Sequence, residues 1–537
     1  MTTKRDAGFD VKQAILDPGF TPRGSDAGPL LALMAEGGDL AGPAERALVR
    51  MGAAATPRAL AQAGASAAAD RAAVMRLLGR LAAVAPDPAI EGALVAGLDD
   101  VEERVRRAAA GALGRARPSE AEQALTAALA RETSASVRRA MLEALGKVGG
   151  EVARASLAGE AARADPDTER ERARAMLMVT RTMARSTPST IVADRRASPP
   201  VRVVLRCRSG LEEILQDELP PELDPRIRRN PPEGRCVEVM LQGAPIDLFA
   251  ARTFLSLGFP LEPVHVEGGD VGAAVVASLT SPAALAVLRH WTEGPLRFRL
   301  SLRAGGKRRS EVWRVAAEVS ERVPDLVNDP TGSPWEAEVY EARGVLRVEL
   351  VPAIADPRFT YRKGDVPAAS HPTIAAALVR VAGVRPDDVV WDPFVGSGTE
   401  LCERAFAGKY DRLMGSDLEP RALEVARGNL EAAGVKDVVL LEGNAATLRP
   451  PGPAPTLIIT NPPLGRRVQR SAALGPTLDR FVSNVADVMA KGGRLVWISP
   501  FPGRTRDIGA ARGLTLKLAR EVDMGGFAAE MQVMVKR

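Results

Sequence analysis

Histidine and cysteine are scarce, with three of each in 537 residues. Cys207, Cys236 and Cys402 lie far apart and form no CxxC pair, so neither a zinc site nor a disulfide framework can be read from them. His265, His290 and His371 form no HExxH or HxH pattern, which argues against a histidine-built metal centre. Aromatic residues make up 4%, leaving the cores to aliphatic and small side chains. There is no GxxxxGK[ST], which excludes a P-loop NTPase, and no complete GxGxxG, which weighs against a dinucleotide. No run of about 18 apolar residues occurs. The first residues, MTTKRDAGFDVKQ, lack the apolar stretch of a signal peptide. The expectation is a cytoplasmic protein with no membrane partner. Apolar residues nevertheless make up 46%, enough for several cores, and the formal net charge of +5 permits a polyanionic partner without requiring one. The length suggests three or four domains.

Residues 1–26 are polar and rich in Gly and Pro, and read as a flexible tail. Residues 27–190 are helical and repetitive. The segment Val105–Gly114, VRRAAAGALG, recurs 32 residues later as Val137–Gly146, VRRAMLEALG, with weaker copies ending at Gly79 and Gly52. A glycine closing each helix at such a period predicts a stacked helical-pair solenoid. The motif resembles short HEAT-like repeats, whose extended surface suits a protein partner. The doublets Arg106-Arg107 and Arg138-Arg139 are either a basic ridge or an ordinary solvated face.

A Pro- and Ser-rich linker, 186–200, is followed by shorter periods. Strands are expected at Val201–Arg208 and Arg235–Leu241, with helices at Gly210–Glu218 and Pro245–Leu257, a ferredoxin-like α+β unit over 195–265. A strand at Arg297–Arg303, a helix at Ser310–Val323 and strands at Trp335–Tyr340 and Val345–Val351 make a second unit over 266–355. Residues 324–350 resemble the end of a THUMP domain, a module of RNA-modifying enzymes, and residues 206–219 resemble the ferredoxin-like segment that precedes it. The loop from Arg303 through Lys307, Arg308 and Arg309 gathers four cations around two glycines, and Arg226, Arg228, Arg229 and Arg235 form another cluster. Both suit contacts to RNA phosphates.

The chemistry concentrates in 356–537. A buried strand at Asp388–Trp391 runs into Asp392-Pro393-Phe-Val-Gly396-Ser397-Gly398-Thr399, after which a helix starts. Strand, Gly-rich turn and helix let a nucleotide-like ligand approach the backbone. A second strand ends at Asp417-Leu418, about twenty residues on, where a carboxylate can accept bonds from ribose hydroxyls. A third strand, Val438–Glu442, precedes Asn444-Ala445. A fourth, Thr456–Thr460, leads into Asn461-Pro462-Pro463-Leu464. This loop resembles that of methyltransferases acting on exocyclic base amines or planar nitrogens, and the resemblance implies that two acceptors, the Asn461 side-chain oxygen and the Pro462 carbonyl, would hold a poorly nucleophilic nitrogen in line with a methyl sulfonium. No cysteine lies near this loop, against a cytosine-C5 mechanism.

Asn461–Leu464 resembles the Asn-Pro-Pro-Tyr motif of methyltransferases acting on base amines, with Leu464 where the family usually has a stacking aromatic. Phe501 is a second candidate for stacking or a core residue. The strand series closing on a hairpin, Leu514–Val522 and Ala528–Lys536, is similar to the seven-stranded Rossmann-like sheet of class I methyltransferases. Tyr361-Arg362 and Ser370–Ala375 resemble the lead-in to THUMP guanine-N2 methyltransferases of rRNA and tRNA. The resemblance covers about 195–537. It implies S-adenosyl-L-methionine as cofactor, held by Asp392, Pro393, Gly396, Ser397, Gly398, Thr399, Asp417, Leu418, Asn444 and Ala445. It implies rRNA or tRNA as substrate, with Asn461, Pro462, Pro463 and Leu464 as the catalytic loop; the repeats lie outside the usual family architecture and are expected to bind a partner or extend the RNA surface. Adenine N6 is the rival amine. Leu464 and Asn444 are the features that would suit a non-catalytic RNA-binding scaffold instead.

Overall fold

The computed structural model describes residues 10–17, 19–64, 67–160, 166–230, 234–266, 269–303, 309–367, 369–463 and 474–537. Leu464, Lys307 and Arg308 lie outside these residues. The chain divides into two compact units. One holds Met1–Thr190, Glu293–Arg299 and Gly306–Ser333, and the other Ile191–Thr292, Leu300–Gly305 and Pro334–Arg537.

In the first unit the helices Ala68–Val84, Glu103–Ala116, Ala135–Val148 and Pro166–Arg185 stack in series, each against the next. Their contact surface is a continuous apolar core of Ala, Val and Leu. The repeated glycines do not close these helices as expected. Gly79, Gly114 and Gly146 sit inside them, and only Gly52 is a helix cap, with φ of 55°. A Cβ on Gly114 would stand 2.9 Å from the Ala144 Cα, and one on Gly146 2.9 Å from the Ala175 Cα. The glycines are therefore places where consecutive repeats meet backbone to backbone, an approach no side chain permits. The leading arginine of each doublet is also internal. Arg106 donates to Glu132 at 2.7 Å and to the Asp100 carbonyl at 2.9 Å, and Arg138 donates to the Leu129 and Glu132 carbonyls at 3.0 and 2.8 Å. They tie the loops of one repeat to the next, so the doublets form no ridge. Arg181, on the last helix, is buried under Trp313 and donates to the Asn328 side chain at 2.7 Å. Helix Arg309–Arg322 and strand Leu326–Asn328, expected with the THUMP-like span, thus pack with the repeats.

In the second unit one antiparallel sheet takes the order Arg226–Asn230, Gly234–Leu241, Val201–Cys207, Phe254–Pro260, Val345–Pro352, Trp335–Ala342. It runs without a break through what the sequence suggested as two units. The expected helix Pro245–Leu257 is a short 3₁₀ turn, Pro245–Ala250, followed by strand Phe254–Pro260. Phe254, Leu257 and Phe259 are buried, and the strand sits between two partners, so tertiary pairing overrides the helical reading.

The C-terminal sheet has seven strands: β1 (Val389–Asp392), β2 (Arg412–Asp417), β3 (Val438–Glu442), β4 (Leu457–Thr460), β5 (Arg494–Ser499), β6 (Leu514–Asp523) and β7 (Ala528–Lys536). Their order is β3-β2-β1-β4-β5-β7-β6, parallel except for β7, which runs antiparallel to both neighbours. Every residue of β1, β4 and β5 is buried, as a parallel sheet covered by helices on both faces requires. The two sheets of this unit are joined by polar contacts. Arg252 donates to Glu403 at 2.6 and 2.9 Å, and Tyr361 donates to the same carboxylate at 2.7 Å.

Two glycines on one helix separate packing from propensity. Gly114→Ala should destabilise the helical unit by about 1–3 kcal/mol through overpacking. Gly111→Ala meets nothing within 4 Å and should stabilise it by about 0.5–1 kcal/mol. Denaturant midpoints of the two variants check this, and shifts of the same sign would contradict it.

Candidate active site

At the carboxyl edge of the C-terminal sheet, the order reverses beside β1, so loops after β1 and β4 diverge and leave a crevice. The turn after β1 lines it. Gly396 and Gly398 have φ of 49° and 78°, the left-handed region. A Cβ on Gly398 would also lie 3.3 Å from the Ala426 Cα. Gly398 caps helix Thr399–Phe406, whose first-turn N–H groups have no carbonyl partner within the helix. Pro393, Ser397 and Thr399 are buried, and the Ser397 and Thr399 hydroxyls bond each other at 2.9 Å.

Asp392 is fully buried. It accepts from the Thr460 hydroxyl at 2.6 Å and from the Phe394 N–H at 3.1 Å, while its Oδ2 has no partner among the described residues. Burial, and then the nearby Glu400, hold its carboxyl well above the usual range. Glu400 is pushed up to about 7 by burial, against the lowering effect of the Ser370 hydroxyl that donates to it.

Asp417 ends β2. Its Oδ2 accepts from the Gly396 N–H at 3.0 Å and its Oδ1 from the Glu419 N–H at 3.1 Å. Each oxygen keeps a lone pair for another donor. Leu418, next to it, is 59% exposed, an apolar surface beside the crevice. Asn444 is exposed, and its side-chain oxygen accepts from the Ala446 N–H at 2.9 Å, closing a turn and keeping a second lone pair. Ala445 is buried.

After β4, Asn461 is half-buried. Its Nδ2 donates to the Ser370 Oγ at 2.8 Å, and its Oδ1 is without a partner among the described residues. Pro462 is buried and Pro463 exposed. Phe501, just past β5, is 39% exposed.

Several residues that hold this site carried no motif. Asn429 is fully buried. It donates to the Ser397 and Gly364 carbonyls at 2.8 and 2.9 Å and accepts from the Lys363 and Gly364 N–H groups at 2.8 and 3.0 Å. It binds the lead-in segment to the Gly-rich turn. Asn484 donates to the Ala445 and Leu448 carbonyls, both at 2.9 Å, and fixes the loop after β3. The available signal was an asparagine at an apolar position of a helical pattern, which needs a polar partner. His371 caps helix Pro372–Ala382, accepting from the Thr373 N–H at 3.3 Å. Burial holds its imidazole down to about 4, so it stays neutral and keeps that acceptor. Of the expected phosphate ligands, Arg303 is ion-paired with Glu338, and only the backbone of Arg309, opening its helix, is described. In the other cluster Arg226, Arg228 and Arg235 face Asp224, Glu238 and Glu213.

Residues 360–507 match the RMKL-like methyltransferase domain, and residues 90–178 match HEAT repeats. The C-terminal domain is a class I methyltransferase. The methyltransferase domain uses S-adenosylmethionine. The chain is 28% identical over 299 residues to a tRNA (guanine(6)-N2)-methyltransferase of Thermus thermophilus, covering 54% of this chain and 82% of that protein. It is 30% identical over 135 residues to a tRNA (guanine(10)-N2)-dimethyltransferase of Methanothermobacter thermautotrophicus, covering 25% of this chain and 39% of the relative. The crystal structure of TrmN from Thermus thermophilus matches with a TM-score of 0.52 at 25% identity, over 63% of this chain and 99% of that one.

Thr460→Val removes the hydroxyl that Asp392 accepts from and keeps the shape. The domain should lose about 1–3 kcal/mol, the usual cost of an abandoned buried polar partner. Its thermal transition should fall by several degrees, and an unchanged transition would show the bond to be incidental.

Proposed function

We propose that this chain transfers a methyl group from S-adenosylmethionine to the exocyclic N2 amine of a guanosine in a structured RNA, tRNA or rRNA. The observation that carries the reading is the Asn461 amide. It stands at the end of β4, with its nitrogen already used and its oxygen without a partner among the described residues, available to accept an N–H. An acceptor there, with the Pro462 carbonyl, positions a weakly nucleophilic amine without a strong base. Relatives named as guanine-N2 methyltransferases of tRNA and of U6 snRNA support guanine over adenine. The Thr399 helix N-terminus and the Gly396–Gly398 backbone would cradle the cofactor, Asp417 would take its ribose hydroxyls and Leu418 would cover its apolar face. The segment 266–355 would act as a THUMP-like RNA grip. Residues 27–190 would add a second RNA surface through a groove between helices Ala68–Val84 and Glu103–Ala116. The groove is lined by Ala72, Ala108 and Gly111 and by Arg76, Arg104, Arg107 and Arg115, four cations against the two acids Glu102 and Glu103.

Nucleoside mass spectrometry of transcripts treated with the protein and cofactor tests the reading, with N2-methylguanosine the expected product. Asn461→Ala should lower turnover on the order of a hundredfold, as for loss of one preorganised polar group, and leave cofactor affinity unchanged by calorimetry. Equal turnover would reduce the motif to a turn. Asp417→Ala should weaken S-adenosylmethionine binding more than about tenfold, since bonds to a charged acceptor contribute about 1.5–3 kcal/mol. Unchanged affinity would remove Asp417 from the site. Replacing the four groove arginines by Gln should reduce the slope of log affinity against log salt by about 0.7–0.9 for each phosphate no longer neutralised. An unchanged slope would show that the groove does not touch RNA.

A further inference from the structure

An asparagine amide has a donor end and an acceptor end of nearly equal size, and the two orientations do opposite things to a substrate amine. With the oxygen outward it accepts an N–H. With the nitrogen outward it presents a donor to a donor and repels the substrate. Nothing within Asn461 chooses between them; the choice comes from what its inner end meets. Among the described residues that end meets one hydrogen-bonding group, the Ser370 hydroxyl at 2.8 Å. Ser370 is 8% exposed. Its own hydrogen goes to a carboxylate oxygen of Glu400, which is 3% exposed and lies in the first turn of the helix after the Gly-rich loop. A carboxylate can only accept, so a hydroxyl donating to it presents only lone pairs elsewhere. The Ser370 oxygen must then receive a hydrogen from Asn461, and only Nδ2 can give one. The amide is set with Oδ1 outward, and that oxygen is the acceptor left without a partner among the described residues.

We propose that Ser370 and Glu400 are positioning residues that set the Asn461 amide, through the direction of two hydrogen bonds, so that its oxygen faces the substrate amine. The inference rests on reading the site as that of a base-amine methyltransferase. The device depends on the charge of Glu400. When Glu400 carries a proton it can donate to Ser370, whose hydroxyl is then free to donate to the amide oxygen and reverse it. The charged groups facing Glu400 are Asp392 at the end of β1, Glu403 on its own helix and Arg362 in the lead-in segment. Burial lifts the Glu400 carboxyl to about 7, so the amide is held as ionisation is completed and turnover rises through that range.

Four variants and two readouts test this on the full-length protein. Ser370→Ala should lower kcat about tenfold with KM for RNA and the affinity for S-adenosylmethionine unchanged, and Ser370→Thr, which keeps the hydroxyl, should restore most of it. Glu400→Gln, whose side chain can both donate and accept, should lower kcat and abolish the rise of kcat with pH around 7. Ser370→Ala combined with Asn461→Ala should be no slower than Asn461→Ala alone. The second readout needs no turnover. The Glu400 carboxyl, labelled with 13C and assigned by its loss in Glu400→Gln, should titrate higher in Ser370→Ala, because a donor to its charged form has gone. A wild type that methylates RNA beside a Ser370→Ala variant of equal kcat would overturn the proposal. So would a Glu400 titration that Ser370→Ala leaves in place, since the serine would then be donating elsewhere. A wild type inert on RNA with the predicted change in titration would sink the functional reading and leave the direction of the hydrogen bonds standing.

Discussion

The bond from Thr460 to Asp392 joins the ends of β1 and β4 where the sheet order changes direction. Every other part of the site is measured from that point. β1 hands its chain to the Gly-rich turn immediately after Asp392, and β4 hands its chain to Asn461 immediately after Thr460. Holding the two strand ends together therefore holds the Gly-rich turn and the Asn461 loop at a fixed separation. In-line transfer is sensitive to distances of about 1 Å, so a rigid buried bond is a better spacer than either loop. The pairing of β1 with β4 supplies the register, Trp391 opposite Ile458, and the hydroxyl–carboxyl bond locks its last step.

Close approach is the second constraint, and asparagine and glycine meet it in different ways. Gly398 lets the turn come within touching distance of Ala426. Asn429, one helical turn further along that helix, then reaches the Ser397 carbonyl and both faces of the 363–364 backbone. The lead-in segment that carries Ser370 is thereby fastened to the Gly-rich turn. In the repeat unit glycine alone does the equivalent task, at Gly79, Gly114 and Gly146. There the neighbouring surface is a helix backbone with its polar groups already bonded, and no amide is needed.

Much of this was legible in the sequence because it is local. The seven strands of the C-terminal sheet, the Gly-rich turn, Asp417 and Asn461 each announce themselves within a few residues, through apolar runs that end in a small or acidic residue. The repeat period was legible for the same reason. Features decided by distant partners were not. Strand Phe254–Pro260 reads locally as the end of a helix and becomes a strand only between Val201–Cys207 and Val345–Pro352. The arginine clusters read as RNA ligands because the acids that neutralise most of them, Glu213, Glu238 and Glu338, come from other elements. Arg106 and Arg138 look like surface cations until the loops they tie are known. Asn444 kept its place, and its oxygen takes a local donor in the Ala446 N–H.

The carboxylates of the methyltransferase domain divide by partner, and the division separates frame from site. Asp388, at the far end of β1, is fully buried. Burial alone would raise its carboxyl, but the Arg385 N–H, Arg494 and Arg404 together bring it below the ordinary range. Glu403 is likewise held by Arg252 and Tyr361. Both acids have their acceptors occupied by protein donors, so they fix geometry and offer nothing to a ligand. Asp392 and Glu400 are as deeply buried but have no arginine partner among the described residues, only hydroxyl and backbone donors, and both are raised. A buried acid without a cation is costly to keep, and a sequence selected for stability alone would replace it. Asp392 ends β1 and Glu400 lies in the first turn of the helix that follows the Gly-rich turn, so both stand at the carboxyl edge of the sheet. The raised acids at the carboxyl end of β1 and the lowered, arginine-paired acid at its amino end are two outcomes of the same burial, separated by whether an arginine forms an ion pair with the carboxylate.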